Sequence, residues 1–366
     1  MSIFSFSKKR MAVACADSGS VSLGIIEHSN GEAPNILWYG KKKIPLFEIA
    51  ENSTLASEAT RLLSELISQA GAEGFSSKER PMIFLGAPFI ENHIAHFSES
   101  FPEAVVVTKE RIGLISSNQA SSSSVKDLKD KGSRQNIVGF FLNGYETHKP
   151  FGKLAKKIEI VQCTHTLNNR PIADTLSSFH SGAPESESLL VSMWHTSLSL
   201  LSLRDFAIFS VGGEYLEIGI IQGGVLVFCG TIETGTARFL RDIASKLSIS
   251  PNLARSAVGK SAERTISSAE KEAIAYSQSA SAGIITKSLS SIADWGLIPP
   301  VIQIFSDAED RTVISSILSE KAFTNLSGSG LGFSVTFIDS KTFIPKISLS
   351  GPYNPDVKFL ACALFA

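Results

Sequence analysis

The sequence predicts an α/β protein of two related lobes with a smaller α+β subdomain inserted between them. Three observations predict it. An apolar strand, a short glycine loop, a strand, a turn, a strand and a helix occur in that order twice, first from residue 11 and again from residue 206. The loop glycines of the two copies, Gly19 and Gly213, stand 194 residues apart, about half of the 366-residue chain. The stretch between the copies has a different rhythm, alternating short strands with helical patches. Self-similarity at half length points to duplication rather than one long sheet, and a chain of this size holds about two to three domains.

In the first copy, residues 11–17 read as a strand, Ser18-Gly19-Ser20 as a tight loop, and the apolar run through Ile26 as a second strand. A turn at 29–34 leads into a third strand, 35–44, ending in Lys41-Lys42-Lys43, which reads as a solvated edge that discourages further pairing. Leu55, Leu62, Leu63, Leu66 and Ile67 then repeat at helical spacing. Residues 82–85 form a strand closed by Gly86-Ala87-Pro88. The insertion follows, with a helical patch near Ile112, a polar loop at 121–131, strands at 137–142 and 158–163 joined through Asn143-Gly144-Tyr145, and a helix over 170–179. Gly182 to Glu185 returns the chain to the main body, and 189–203 is an amphipathic helix. The second copy has strands at 206–211, 216–221 and 225–228, with glycine loops at 212–214 and 222–224 and a helix over 236–247. Residues 251–295 are helical throughout, and Pro299-Pro300 stops them. A strand at 301–305, a helix at 311–319 capped by Asp307, and closing strands at 333–338 and 357–365 complete the chain.

Composition narrows the function classes. Lys+Arg 34 against Asp+Glu 35 gives a net charge of −1, without the basic footprint of a duplex-binding protein, so no nucleic-acid partner is expected. Charged residues are only 19% of the chain, and 55 serines carry much of the polar surface. Cys15, Cys163, Cys229 and Cys362 lie far apart with no CxxC spacing, which excludes a zinc ribbon and makes reduced cytosolic thiols the expectation. His93 and His96 are not at the i, i+4 spacing of a helical metal pair, and no metal site is expected. No stretch reaches the apolar length of a spanning helix, and the start has its charges after its apolar residues, the reverse of a signal peptide.

Asp17-Ser18-Gly19-Ser20 resembles the first phosphate loop of the actin, hexokinase and heat-shock-70 superfamily, and Gly212-Gly213 resembles the second. Glycine is needed there because a Cβ would keep the backbone amides from a phosphate. Within that superfamily the chain resembles the FtsA/PilM group. The resemblance is carried by Phe4-Ser5-Phe6-Ser7-Lys8-Lys9-Arg10, by Leu142-Asn143-Gly144-Tyr145 with Lys149-Pro150-Phe151-Gly152-Lys153, and by Gly223-Gly224-Val225-Leu226 with Gly235 through Leu253-Ala254. It implies duplicated actin-like (ribonuclease H-like) lobes with an inserted SHS2-type, or 1C, subdomain. The implied division is a flexible segment 1–10, a first lobe 11–90 with 183–204, the insert 91–182, a second lobe 205–250 with 299–366, and a helical 2B-like subdomain 251–298.

The resemblance also implies candidate nucleotide-binding residues: Asp17, Ser18, Gly19, Ser20, Gly212, Gly213, Glu214, Ser306 and Asp307. In the superfamily the first-loop Asp orients metal-bound water on ATP and Mg. Three departures count against turnover here. Ser210 stands where active members carry an Asp, Leu216 and Glu217 replace a Thr/Asp pair, and Ser306-Asp307 replaces the Gly-Gly on which adenosine packs. No catalytic residue and no firm cofactor are therefore assigned. The expected role is a non-catalytic cytoplasmic adaptor at the inner face of the cell membrane, organising pilus assembly or division machinery. Its expected partners are the cytoplasmic tails of inner-membrane proteins and, through filaments or dimers, itself. Phe4, Phe6, Lys8, Lys9 and Arg10 are the candidate membrane or partner contact. The alternative is an ATP-dependent small-molecule kinase or ATPase on the same fold.

Overall fold

From Ala12 onward the first strand is buried on both faces, which explains a continuous apolar run instead of alternation. The computed structural model describes residues 9–28, 32–76, 79–120, 134–178, 184–262, 266–293, 298–319, 323 and 332–366. Strand β1 (Lys9–Ala16) pairs antiparallel with β2 (Ser20–His28), Lys9 opposite His28 and Ala16 opposite Val21, and β3 (Asn35–Lys43) continues the meander. Helix α1 (Asn52–Ala72) buries Leu55, Leu62, Leu63 and Leu66 on one face, as their spacing predicts, and β4 (Met82–Leu85) lies parallel to β1.

The insert comprises β5 (Ile90–Val106), α2 (Lys109–Ala120), β6 (Arg134–Leu142), β7 (Tyr145–Glu146), β8 (Leu154–Leu167) and α3 (Arg170–Asp174). Its antiparallel sheet has the order β5-β8-β6-β7. The β6–β7 hairpin turns on Asn143 and Gly144, both at positive φ (54° and 85°), as expected of an Asn-Gly pair. The chain returns through β9 (Glu185–Ser188) to α4 (Leu189–Leu201).

The second lobe runs β10 (Phe206–Val211), β11 (Leu216–Gln222), β12 (Val225–Ile232), α5 (Thr236–Leu247), α6 (Pro251–Ala262), α7 (Ser268–Ala293), β13 (Val301–Phe305), α8 (Arg311–Leu318) and β14 (Ser334–Phe337). Then β15 (Ser348–Leu349) and α9 (Val357–Phe365) follow. The duplication is explicit in the sheets. The orders β3-β2-β1-β4-β9 and β12-β11-β10-β13-β14 correspond strand for strand, with two antiparallel and then two parallel pairings in each. One face of the first sheet packs on α1 and α3, and one face of the second on α5, α7 and α8. Their other faces share a core with α4 and α9, through residues such as Val13, Phe84, Met193, Phe206, Ile208 and Phe359.

Several expectations change. Residues 357–365 form a helix, not a closing strand. Both Lys358 and Phe359 donate backbone N–H groups to the Asp356 side chain (3.0 and 3.1 Å), which caps the helix. Because residues 357–363 are all buried, no polar stripe reveals the helical period. Strand β15 pairs with β3, and α9 packs on α4 and β1. The first strand begins at Lys9, so Lys9 and Arg10 are strand residues rather than a flexible segment, and Arg10 pairs with Glu27 at 3.1 Å. Phe4 and Phe6, Lys8 and the loop 121–131 lie outside the described residues. The lysines of β3 are not a solvated edge: Lys41 pairs with Asp307 and Asp356, Lys42 with Glu65, and Lys43 with Asp307. Nor does the Asp307 side chain cap the helix after β13, because Lys41 holds it.

Gly24 shows how tightly α9 is seated, since a Cβ there would run into the Phe359 ring. Gly24→Ala is expected to cost about 1–3 kcal/mol through overpacking, measured by denaturant unfolding. Adding Phe359→Leu should recover part of that loss, and equal losses with and without it would show that the ring is not the obstacle.

Candidate functional site

The site lies where the two glycine loops meet. In the first, Asp17 folds over its own turn: Oδ1 accepts the amides of Gly19 (2.7 Å) and Ser20 (3.0 Å), and the Asp17 amide donates to Ser20 O (3.1 Å). In the second, the Gly212 amide donates to Tyr215 O (2.8 Å), while the amides of Glu214 (3.0 Å) and Tyr215 (3.3 Å) reach across to Ser18 Oγ. The first amides of α5 are also occupied, Thr236 on Gly212 O and Ala237 on Gly213 O. Phosphate loops work by leaving such amides open to an anion. Here each of these amides has a protein acceptor.

The loops also touch backbone to backbone. A Cβ on Gly213 would lie 2.6 Å from Ser18 O, and one on Gly19 would lie 2.8 Å from Gly213 N. Glycine is required at both positions by close chain approach. Cross-lobe ties surround the contact: Tyr215 donates its hydroxyl to Asn52 Oδ1 (2.8 Å), and Arg241 bonds both Glu214 (2.6 Å) and Phe47 O (3.4 Å).

Behind the loops is a buried ionic cluster. The Lys358 ammonium, delivered by α9, donates to Asp17 Oδ2 and to Val211 O (2.6 Å), and both side chains of the ion pair are about 95% buried. Asp356 Oδ2 accepts the Tyr39 hydroxyl (2.6 Å) and faces Lys41 Nζ at 3.1 Å. The same Lys41 bonds Asp307 Oδ1 at 2.6 Å, linking β3 to the loop after β13. Burial opposes the charge on Asp356, but Lys41, the Tyr39 hydroxyl and the Phe359 amide outweigh it and hold the carboxyl down at about 2. Burial likewise opposes the Lys358 charge, and Asp17 more than compensates, raising its pKa. Glu217 has no such partner. Burial lifts it to about 7, the Asp17 charge adds to that, and the Ala87 amide and Lys358 only partly offset it.

The expected residues Asp17, Ser18, Gly19, Ser20, Gly212, Gly213, Glu214 and Asp307 thus do come together, around a cavity of about 30 Å³. That volume holds roughly one water molecule. Ser306 lines a second cavity of about 380 Å³, which shares Lys43 and Asp307 with the first. Arg10 lies at the opposite end of β1 from the cleft. Sequence reasoning missed Lys358, Asp356, Tyr39 and Lys41; the one local signal was a single lysine in an otherwise apolar run.

ATP with Mg, the cofactor implied by the fold, does not fit this arrangement. The amides of Gly19, Ser20, Gly212, Glu214 and Tyr215 are already spent on protein acceptors, the lobes touch where the phosphates would pass, and the Lys358 ammonium occupies the carboxylate that would serve a metal-bound water. Among the described residues, Asp307, Glu309 and Asp310 are the one group whose ligand atoms gather closely enough for a metal. Lys41 and Lys43 already neutralise Asp307 there, so no metal is assigned.

No protein-family model matches the chain, and no curated protein does. Solved structures do. A PilM–PilN type IV pilus biogenesis complex is similar over 97% of this chain and 96% of its own, at 10% identity and a TM-score of 0.60. The ethanolamine utilization protein EutJ from Carboxydothermus hydrogenoformans is similar over 100% of this chain and 92% of its own, at 10% identity and a TM-score of 0.50. At that identity the likeness concerns the fold. With the strand-for-strand correspondence of the two sheets, it establishes that the chain has a duplicated actin-like fold.

Proposed function

We propose that the protein is a non-catalytic adaptor that organises an inner-membrane assembly, type IV pilus biogenesis before cell division. The observation that carries the non-catalytic half is the Lys358–Asp17 ion pair, buried where a nucleotide-bound cation would be needed. A cleft closed by the chain's own groups has no need of a ligand to hold its lobes together. It leaves a fixed two-lobed body whose work is done on outer surfaces. The pilus assignment is supported by likeness to the PilM–PilN complex over nearly the whole length of both chains. On this reading the partner is the cytoplasmic tail of an inner-membrane protein, and the protein acts peripherally at the inner face of the membrane. No helix among the described residues is long and apolar enough to cross a membrane, which is compatible with that placement.

Calorimetry with Mg-ATP, followed by a phosphate-release assay, tests the non-catalytic half. No binding heat and no phosphate above background are expected. Micromolar affinity with release would replace the adaptor by an ATP-dependent enzyme. For the other half, a pull-down against synthetic cytoplasmic tails should retain at least one specific tail, and retention of none would remove the adaptor role.

A further inference from the structure

The far end of the insert exposes apolar groups that its own core does not use. Strands β5 and β8 join the first lobe at Ile90 and Leu167, which face each other, and there the Asn168 amide donates to Phe89 O (2.9 Å). At their other ends Val106 stands directly opposite Leu154. The Gly152 amide donates to Val107 O (3.0 Å) and the Val107 amide to Lys153 O (2.9 Å), which brings Phe151 beside that pair. Val107 and Ala155 are buried in the core under α2, so their strand neighbours Val106 and Leu154 point away from it. Val106, Phe151 and Leu154 are 47%, 48% and 63% exposed. The Phe151 ring is nevertheless fixed, resting edge-on against Phe140 with centroids 6.1 Å apart.

Cations are interleaved with these apolar groups. Lys149, Lys153 and Lys156 are exposed, and among the described residues none of the three forms a salt bridge; Lys153 Nζ donates to the neutral Thr147 Oγ1 (2.8 Å). The carboxylates nearest them in the chain are taken, Glu146 by Arg204 of the second lobe and Glu159 by Lys157 (2.8 Å). From Asn143 to Lys157, four lysines against one glutamate leave a charge of +3, while Glu103 and Glu110 on the adjoining segment are balanced by Lys109 and Arg111. A chain with a net charge of −1 thus concentrates unpaired positive charge where it also exposes an aromatic ring and two aliphatic side chains. A protein partner would have to match this end in shape and register. An anionic bilayer needs neither: apolar side chains enter the boundary between headgroups and acyl chains, and the ammonium groups stay with the lipid phosphates.

We propose that the tip of the insert is a docking surface for an anionic lipid bilayer, with Phe151 and Leu154 entering the headgroup layer and Lys149, Lys153 and Lys156 engaging lipid phosphates. The proposal deepens the peripheral placement given above and rests on it for bringing the protein to a membrane. Three lysines and a few apolar side chains supply weak, reversible attachment, strengthened when a membrane-anchored tail holds the protein nearby. Val225 of β12 packs against Gly139 in the inserted sheet, where any Cβ would collide with it. A docked tip therefore sets the orientation of the second lobe together with that of the insert.

The test is vesicle flotation of the full chain. Vesicles of about one-third phosphatidylglycerol in phosphatidylcholine should carry the protein, phosphatidylcholine alone should not, and binding should fade as salt screens the lysines. Lys149→Ala, Lys153→Ala and Lys156→Ala combined should weaken binding about a hundredfold, or about fivefold per lysine. Leu154→Ser should weaken it with an unchanged thermal midpoint, because a side chain so exposed contributes little to the fold. Leu154→Trp should be quenched by brominated lipid beyond the unsubstituted protein. Undiminished binding by the triple-lysine variant, equal binding to both kinds of vesicle, or no binding at low salt would each overturn the proposal. So would self-association without vesicle binding that the lysine variant abolishes, since the tip would then be a protein interface. A cytoplasmic tail retained while no vesicle is bound would overturn this surface and leave the adaptor role standing. Vesicle binding through the tip with no tail retained would support the surface and remove that role.

Discussion

Replacing Lys358 by methionine is expected to destabilise the protein by about 3–5 kcal/mol, the cost of leaving one member of a buried ion pair unpaired. Methionine keeps most of the side-chain volume, so little of the loss is cavity. What remains is the Asp17 carboxylate, 3% exposed, whose Oδ1 keeps the amides of Gly19 and Ser20 but whose Oδ2 has lost its cation. Val211 O loses its donor in the same stroke. Asp17→Asn should cost less, because an amide side chain there can still accept the two loop amides through its oxygen, and Asp307 still balances part of the Lys358 charge. The double variant should be more stable than Lys358→Met alone, since a buried pair removed together is often close to neutral. Denaturant midpoints for the four proteins complete a double-mutant cycle, with a coupling of at least about 1 kcal/mol expected. Additive losses would show that the two groups do not act as a pair. None of the three variants should gain Mg-ATP affinity, because in each of them the loop amides stay occupied by the side-chain oxygen at position 17 and by Ser18.

The closed cleft also explains what could be read from the chain and what could not. The duplication was legible because each copy writes the same local physics: an apolar run buried on both faces, a glycine turn and a second apolar run. Asn143-Gly144 announced its hairpin for a similarly local reason. By contrast, β5 is 17 residues long but carries Glu91, His93, His96, Glu99 and Glu103, and its register shifts between Ser100 and Val105. Half-exposed and irregular, it has no apolar period to detect. Helix α9 failed in the opposite way, being buried on every side.

The candidate loops were found because glycine turns next to Asp are locally conspicuous. The plug was not, because Lys358 and Asp17 are 341 residues apart and an ion pair at that separation leaves no spacing pattern. The substitutions at Ser210 and Glu217 signalled that the cleft was altered, but not that it was sealed. A lone lysine within Val357–Phe365 was the only trace, since a buried cation in an apolar segment requires a carboxylate somewhere in the fold.

Glu217 sets the second large expectation, a fall in stability as pH rises. Its carboxyl is 3% exposed, pairs in register with Ser210, and leaves Oε1 without a hydrogen-bond partner. Its pKa in the folded chain, about 7, lies above the ordinary 4.5. The folded state therefore binds more protons than the unfolded state across that interval. The resulting stability is fully present below about pH 4.5 and is lost as pH rises through about 7, by up to about 3 kcal/mol. The depressed Asp356 acts in the opposite direction and only in acid: its contribution is present above about 3.8 and lost as pH falls through about 2. It does not overlap the Glu217 interval. His28 and His195, both lowered by burial, do overlap it and add stability as pH rises, so the raw profile mixes the two signs. The difference between the unsubstituted protein and Glu217→Gln isolates the carboxyl. Glutamine should be the more stable form at pH 8, and its advantage should shrink steadily toward pH 4.5. A pH-independent difference would mean that Glu217 is ionised in the folded chain at all these pH values, and that Lys358 shields it as well as Asp17.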